Sequence, residues 1–269
     1  MKIAILFFGE IRGTPEIWKK IYDFLVYPNE ADVFMHHVYY GNQFIETIPE
    51  SQRKILKEYY QDDKKGVHLY PPKELFEIFN PKKILIESRP DYSKEDVTDM
   101  MEQYKQYRTV DEVKFLYHMI RSQTESRKKV NQLKCQYEQD NNFEYDVVIL
   151  TRLDIAILEP IQILTKPNTI QARILGMVED RHVPNSVAQI YEQVIFGPSK
   201  QMDLVSLFYD YAPQLYKEYN MYIEFMRNEF YISQHIVRCG LRIDHFPVQL
   251  AYRSQENPNG LKRSENAFI

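Results

Sequence analysis

Two unbroken apolar runs stand out along the chain, Ile3 to Phe8 and Val147 to Leu150, and each gives way abruptly to small and charged residues. Runs of this kind suit central strands covered on both faces. The first run passes into Gly9-Glu10-Ile11-Arg12-Gly13 and then Thr14-Pro15. Thr14 suits an N-cap and Pro15 the first helical position, so the pattern predicts a strand, a glycine-flanked loop and a helix. Ala31 to Val38 reads as a second short strand ending in the pair His36-His37, and Lys83 to Glu87 as a third. Residues 50–80 carry helical pieces broken by Gly66 and Pro71-Pro72. Residues 88–112 are polar with little periodicity, which predicts a variable insertion or a mobile loop.

A long helix is predicted over about 111–139, where Leu116, Met119, Gln123, Ser126, Val130, Leu133 and Tyr137 recur at spacings of three and four and share one face. Gln123 and Ser126 interrupt this apolar stripe. Buried polar groups must find partners, either backbone groups or a ligand. Beyond the Tyr145–Leu150 strand, a linking region runs through Ile170 to Ile174, and Gln189 to Phe196 forms a strand stopped by Gly197-Pro198. Ser199 opens a helix to about Tyr209, Glu229 to Cys239 is a helix with Gly240 at its stop, and Leu241 to Val248 is a last strand. The expected architecture is α/β, with a mixed, mainly parallel central sheet flanked by helices. Residues 1–250 form one domain, and 251–269, with Pro258 and Gly260, form a polar C-terminal tail that is frayed or a flexible flap. No internal repeat or low-complexity segment occurs.

At 269 residues and 44% hydrophobic content the chain can bury a full core. A formal charge of −4 gives no global field for polyanions, which argues against nucleic acid as main partner. No apolar run approaches the ~20 residues of a spanning helix, so no transmembrane segment is expected and any membrane association is peripheral. Ile3 to Phe8 is also shorter than a signal-peptide core. Cys135 and Cys239 match no metal-ligand spacing and are expected to be free thiols in a reducing, cytoplasmic setting, with a single disulfide as the alternative. The 21 Tyr and 15 Phe fit a carbohydrate-stacking surface, and an AT-biased genome would produce them equally.

Chemistry in open α/β sheets collects where strands end. After Val147–Leu150 come Thr151-Arg152-Leu153-Asp154, where a carboxylate can hold a cation and a guanidinium can face a phosphate. A surface ion pair capping the strand is the plainer reading. Gly9 and Gly13 flank Arg12 in a tight loop with backbone N–H groups, a pattern that is neither GxGxxG nor GxxxxGK[ST]. His36 and His37 end the second strand, where imidazole can stack on or bond a base.

The order of these landmarks resembles the GT-A class of nucleotide-sugar glycosyltransferases, in particular bacterial and large-virus enzymes that build surface glycans. The similar pieces are Phe8 to Arg12, Asp32 to His36, Gln123 to Lys129, Tyr145 to Asp154, Glu192 to Pro198 with Met202-Asp203, and Asn228-Glu229. The resemblance implies a Rossmann-like GT-A fold and transfer of a sugar from a nucleoside diphosphate, most simply UDP, to a glycan acceptor. It places Gly9, Glu10, Arg12, His36, Gln123, Ser126, Lys129, Arg152 and Asp154 around the donor. The class uses an Asp-x-Asp motif to hold a divalent metal; here Arg152 replaces its first Asp. Asp154 remains as ligand for Mn²⁺ or Mg²⁺, with His245 completing the shell and His235 behind it. For an inverting enzyme, Glu229 is the expected base at a helix start beside the aromatic Tyr219–Phe225 region, with Glu192 and Asp180 in reserve. Glu229 in a first helical turn also complements the helix dipole. The rival expectations are a nucleotidyltransferase or sugar-nucleotide pyrophosphorylase, and a non-catalytic sugar-binding protein of the same fold.

Overall fold

A computed structural model of the protein describes residues 1–39, 72–88, 109–161, 165–178, 187–218, 228–247, 250–253 and 261–263, with isolated positions 90, 92, 95, 98, 102 and 163. Strand β1 is Ile3–Gly9 and helix α1 Pro15–Ile21, extended by a π turn and a 3₁₀ turn to Asn29. Thr14 occupies the N-cap position and Pro15 the first turn, but the Thr14 side chain makes no capping bond. There follow β2 (Asp32–Tyr39), α2 (Lys73–Phe79), β3 (Lys83–Ser88), α3 (Val110–Asn141), β4 (Val147–Thr151) and β5 (Ile155–Ile157). The chain continues with β6 (Thr169–Val178), β7 (Val187–Pro198), α4 (Ser199–Ser206), α5 (Phe208–Glu218), α6 (Asn228–Arg238) and β8 (Arg242–His245). Strands β9 (Leu250–Arg253) and β10 (Leu261–Arg263) complete it.

The main sheet has seven strands in the order β3-β2-β1-β4-β7-β6-β8, and only β7 runs against the others. It is a mixed, mostly parallel α/β sheet. Helices cover both faces, which explains the unbroken apolar runs. Ala4, Leu6, Phe8, Val148 and Leu150 join the core under α3 to α6, while Ile3, Ile5, Phe7, Val147 and Ile149 join the core under α1 and α2. On the first side, fully buried Lys134 donates to Ser199 Oγ (2.8 Å) and Asp203 Oδ1 (2.8 Å) and pairs with Glu138 Oε2 (3.1 Å), tying α3 to α4. A buried ammonium is tolerable only with such partners.

Four features differ from the sequence expectation. The linking region around Ile170–Ile174 is strand β6, with bulges where it pairs with β7 between Ala172 and Arg173 and between Ile174 and Gly176. The helix expected from Ser199 to Tyr209 divides at Leu207 into α4 and α5. The last strand stops at His245, short of Val248. Within the tail, β9 and β10 pair with each other and β9 with β5, forming a three-stranded sheet in place of a frayed end at those residues. Most of residues 50–80 and of 88–112 lies outside the described residues. Among the described residues no helix is long and apolar enough to cross a membrane, and both cysteines are unpaired.

Candidate functional site

The chain leaves β1 toward β2 on one side, while β4 lies on the other, so the β1/β4 boundary is where the strand order reverses. In open α/β sheets ligands bind outside the carboxyl ends of strands at such a point. A cleft of about 120 Å³ opens there. Its polar wall is Gly9, Glu10 and Arg12 from the loop after β1, Ser122 and Gln123 from α3, and Arg152 just after β4. Phe8, Val38 and Met119 supply the apolar part.

The loop after β1 is locked by its glycines. Gly13 has φ +100, and a Cβ there would lie 2.7 Å from Leu153 O and 2.9 Å from Trp18 Nε1. Only glycine fits so close to another backbone in that conformation. Trp18 Nε1–H donates to Arg12 O at 2.9 Å, which fastens the loop to α1. Gly9, at φ +92, is held on both sides: its N–H donates to Ser126 Oγ (2.7 Å) and its carbonyl accepts from His37 Nδ1–H (3.0 Å).

Four charged side chains, each 11–24% exposed, gather where this loop meets the turn after β4. Arg12 Nε donates to Glu10 Oε2 at 2.9 Å, and a second guanidinium nitrogen contacts the same oxygen. Arg152 grips Asp154 with two bonds, Nε to Oδ1 at 2.9 Å and Nη2 to Oδ2. Arg12 Nη1 stands 4.0 Å from Asp154 Oδ2, linking the two pairs. Burial works to raise the pKa of Asp154, but the Arg152 and Arg12 guanidiniums outweigh it and hold the carboxyl below its ordinary value.

Beneath the cleft lies a layer of hydrogen-bonded polar side chains. Burial lowers the pKa of His36 against the opposing pull of Glu87, so the ring is neutral at pH 7. Burial also works to raise Glu87, yet Lys129 and His36 keep it ionised, with its pKa below the ordinary value. A neutral ring beside a carboxylate assigns the proton to Nε2, which donates to Glu87 Oε1 at 3.1 Å. His36 Nδ1 then accepts from the Ser126 hydroxyl at 2.7 Å. The chain of bonds therefore runs from Gly9 N–H through Ser126 and His36 to Glu87, which also contacts Lys129. A second buried set joins α3 to β7: Gln123 Nε2 donates to Glu192 Oε1 at 2.8 Å, and Arg127 takes the other oxygen. Arg127 stacks over Phe8, its Cζ 4.7 Å from the ring centre.

Of the residues predicted for the site, Gly9, Glu10, Arg12, Gln123 and Arg152 line the cleft, and Asp154 abuts it through both arginines. Ser126 and His36 are completely buried and act as struts below the loop, as does the Lys129–Glu87 pair at their side. The polar interruption of the α3 stripe thus resolves two ways: Gln123 reaches the cleft, while Ser126 bonds to protein groups only. Glu192, 5% exposed, has both oxygens engaged from α3. Glu229 sits in the first turn of α6, which packs against β7. There Tyr191, raised by burial to about 12, senses both Arg152 and Glu229. Asp180 and Tyr219–Phe225 lie outside the described residues. Ser122, Met119, Val38, Arg127 and Glu87 were not among the residues predicted for the site; Met119 and Arg127 lie four positions to either side of Gln123, so their place on its helix face was readable.

The residues expected to hold a divalent metal do not fit one in this arrangement. Both Asp154 oxygens are taken by Arg152, and a second guanidinium approaches, so a cation there would face two positive charges. His245 ends β8, separated from β4 by β7 and β6, and its Nδ1 accepts from Ile174 N–H at 3.2 Å. His235 is buried in α6 against Leu204 O at 2.8 Å. Among the described residues no cluster of three metal-ligating side chains occurs.

No protein-family model matches the chain, and no curated protein matches it. The site's own geometry is therefore the ground for a functional reading.

Proposed function

We propose that this protein is a glycosyltransferase of GT-A type that moves a sugar from a nucleoside diphosphate, UDP in the simplest case, to a glycan acceptor in glycan biosynthesis. The observation that carries the reading is the cleft at the strand-order switch point, walled by Arg12, Arg152 and the glycine-flanked backbone between them in space. Guanidiniums match the fork geometry of phosphate oxygens. Met119, with the edges of the buried Phe8 and Val38 behind it, forms the apolar part of the wall against which a flat base would lie, and Gln123 borders it. In the transfer, charge develops on the departing diphosphate, and preorganised cations beside it lower the barrier. Glu229, near the same end of β7, is the base of the proposal if the reaction inverts the sugar. A screen of nucleotide sugars for slow hydrolysis, with UDP-induced thermal stabilisation alongside, tests it. A nucleotide at a hundredfold its Kd should stabilise the fold by about 2.7 kcal/mol. Absence of stabilisation by any nucleoside diphosphate would remove the reading.

One observation favours a second reading, a non-catalytic sugar-nucleotide-binding protein of the same fold: the carboxylate that the class uses for its metal is closed by Arg152. Stabilisation by UDP-sugars without hydrolysis or transfer from any donor would select it.

A further inference from the structure

We infer that the cleft binds a diphosphate without a metal ion, and that Glu10 and Asp154 are internal counter-ions that the diphosphate displaces from Arg12 and Arg152. The inference rests on the reading of this cleft as the site of a nucleoside diphosphate, and deepens it. Its grounds are charge and geometry. Among the described residues two guanidiniums and two carboxylates share one corner of the cleft, each acid two residues from the arginine it holds, so these four charges balance before a ligand arrives. A cation would add to the positive side of that corner; an anion can take the place of an acid. Arg152 lines the cleft, and Asp154 occupies its Nε and Nη2; Nη1 makes no hydrogen bond among the described residues and carries two further N–H groups. The side chains are partly exposed, so the acids can swing into water when replaced. The loop backbone is held meanwhile: Gly9 is bonded to Ser126 and His37, the Arg12 carbonyl accepts from Trp18, and Gly13 lies too close to Leu153 to carry a side chain. The acids also set selectivity: a monoanion exchanges for one carboxylate, while a diphosphate replaces both.

Calorimetry on the full chain, with UDP and inorganic pyrophosphate as probes, in EDTA and then in Mn²⁺, tests the inference. The expected result is binding of both probes in EDTA, mutual competition, weaker binding of UMP, and no more than a twofold gain from Mn²⁺. Asp154→Asn and Glu10→Gln should each tighten UDP binding in EDTA, by roughly tenfold, since each removes a competing anion. Two variants are used so that a folding defect in one leaves the other informative, with circular dichroism reporting the fold. Binding of UDP only with Mn²⁺, abolished by Asp154→Asn, would overturn the inference and leave the nucleotide site standing. Binding in EDTA that both variants leave unchanged or weaken would overturn the counter-ion role. Binding of neither probe in either buffer would overturn the nucleotide reading itself.

Discussion

Acidification should destabilise this protein through His37 before most of its carboxylates are protonated. The ring is 1% exposed at the end of β2, and burial drives its pKa from 6.5 to about 4, with the Gly9 carbonyl opposing and His36 adding to the fall. In the unfolded chain the imidazole takes its proton near pH 6.5; in the folded chain it does so only near pH 4. Between those values the unfolded state binds more protons, so stability rises with pH. The contribution is complete above about pH 6.5 and is lost as the pH falls to about 4. At about 1.4 kcal/mol per pH unit, the drop from 6.5 to about 4 amounts to about 3 kcal/mol. That is a large share of an ordinary folding free energy.

Urea unfolding at a series of pH values, compared between the wild type and His37→Gln, measures this. His36 and His235, which burial also depresses, and the paired carboxylates lose stability in both proteins and cancel in the difference. The variant starts less stable, because it loses the His37 Nδ1–H bond to Gly9 O. Its deficit should shrink by about 3 kcal/mol between pH 6.5 and pH 4. Proton NMR titration of the wild-type ring supplies a check independent of the variant's folding, and should show a neutral imidazole at pH 5. A deficit that stays constant across the window, with a ring titrating near 6.5, would refute the burial argument.

Gly13→Ala should cost about 2–5 kcal/mol in urea unfolding, combining left-handed backbone strain with a clash against the Leu153 carbonyl, whereas Gly240→Ala, strained at φ +73 but in open space, should cost about 1–2. Equal losses would mean that the β1 loop is not seated on the β4 turn. Arg12→Ala should weaken UDP binding by about 1–3 kcal/mol with little change in stability, and unchanged affinity in calorimetry would take the loop out of the site. Glu229→Gln should cut sugar transfer by a factor on the order of 10²–10⁴ with UDP affinity retained. Near-normal transfer by that variant, or a product keeping the donor's anomeric configuration, would remove Glu229 from the role of base.

The central strands were legible because burial on both faces writes itself as an unbroken apolar run, and the 3.6-residue period of α3 survived its polar interruptions. Strand β6 carries the period-two alternation of a strand with one polar face, Gln171 and Arg173 between Ile170, Ala172 and Ile174, which the reading as a link overlooks; only its bulged pairing with β7 leaves no mark in local sequence. The division at Leu207 leaves no mark either, since Leu207 is exposed yet apolar. Strand-end positions for Gly9, Arg12 and Arg152 followed from local pattern. The struts did not: Ser126 meets Gly9 and His36 across 117 and 90 residues of chain, and only the sheet order brings them together. Local sequence also showed Arg152 and Asp154 two residues apart without revealing that they close on each other rather than turn toward a shared ligand.

Whether such paired charges can serve a ligand turns on what it costs to part them. The Arg12–Glu10 and Arg152–Asp154 pairs keep 11–24% of each side chain exposed, so parting them leaves no charge wholly cut off from water. Guanidinium bonds to carboxylate and to phosphate oxygens are both charge-assisted, about 1.5–3 kcal/mol each, and a diphosphate brings more charge and more acceptor oxygens than the acids it displaces. Exchange of two carboxylates for one diphosphate is therefore favourable where the backbone needs no rearrangement. The glycine-locked loop meets that condition. The Arg127–Glu192 pair shows the contrast: Arg127 is 2% and Glu192 7% exposed at the side chain, so parting them would strand a buried charge at about 3–5 kcal/mol. No ligand of ordinary affinity supplies that gain at one contact. Glu192 therefore holds Gln123 and α3 in place, and the exchangeable charges are those of Arg12 and Arg152.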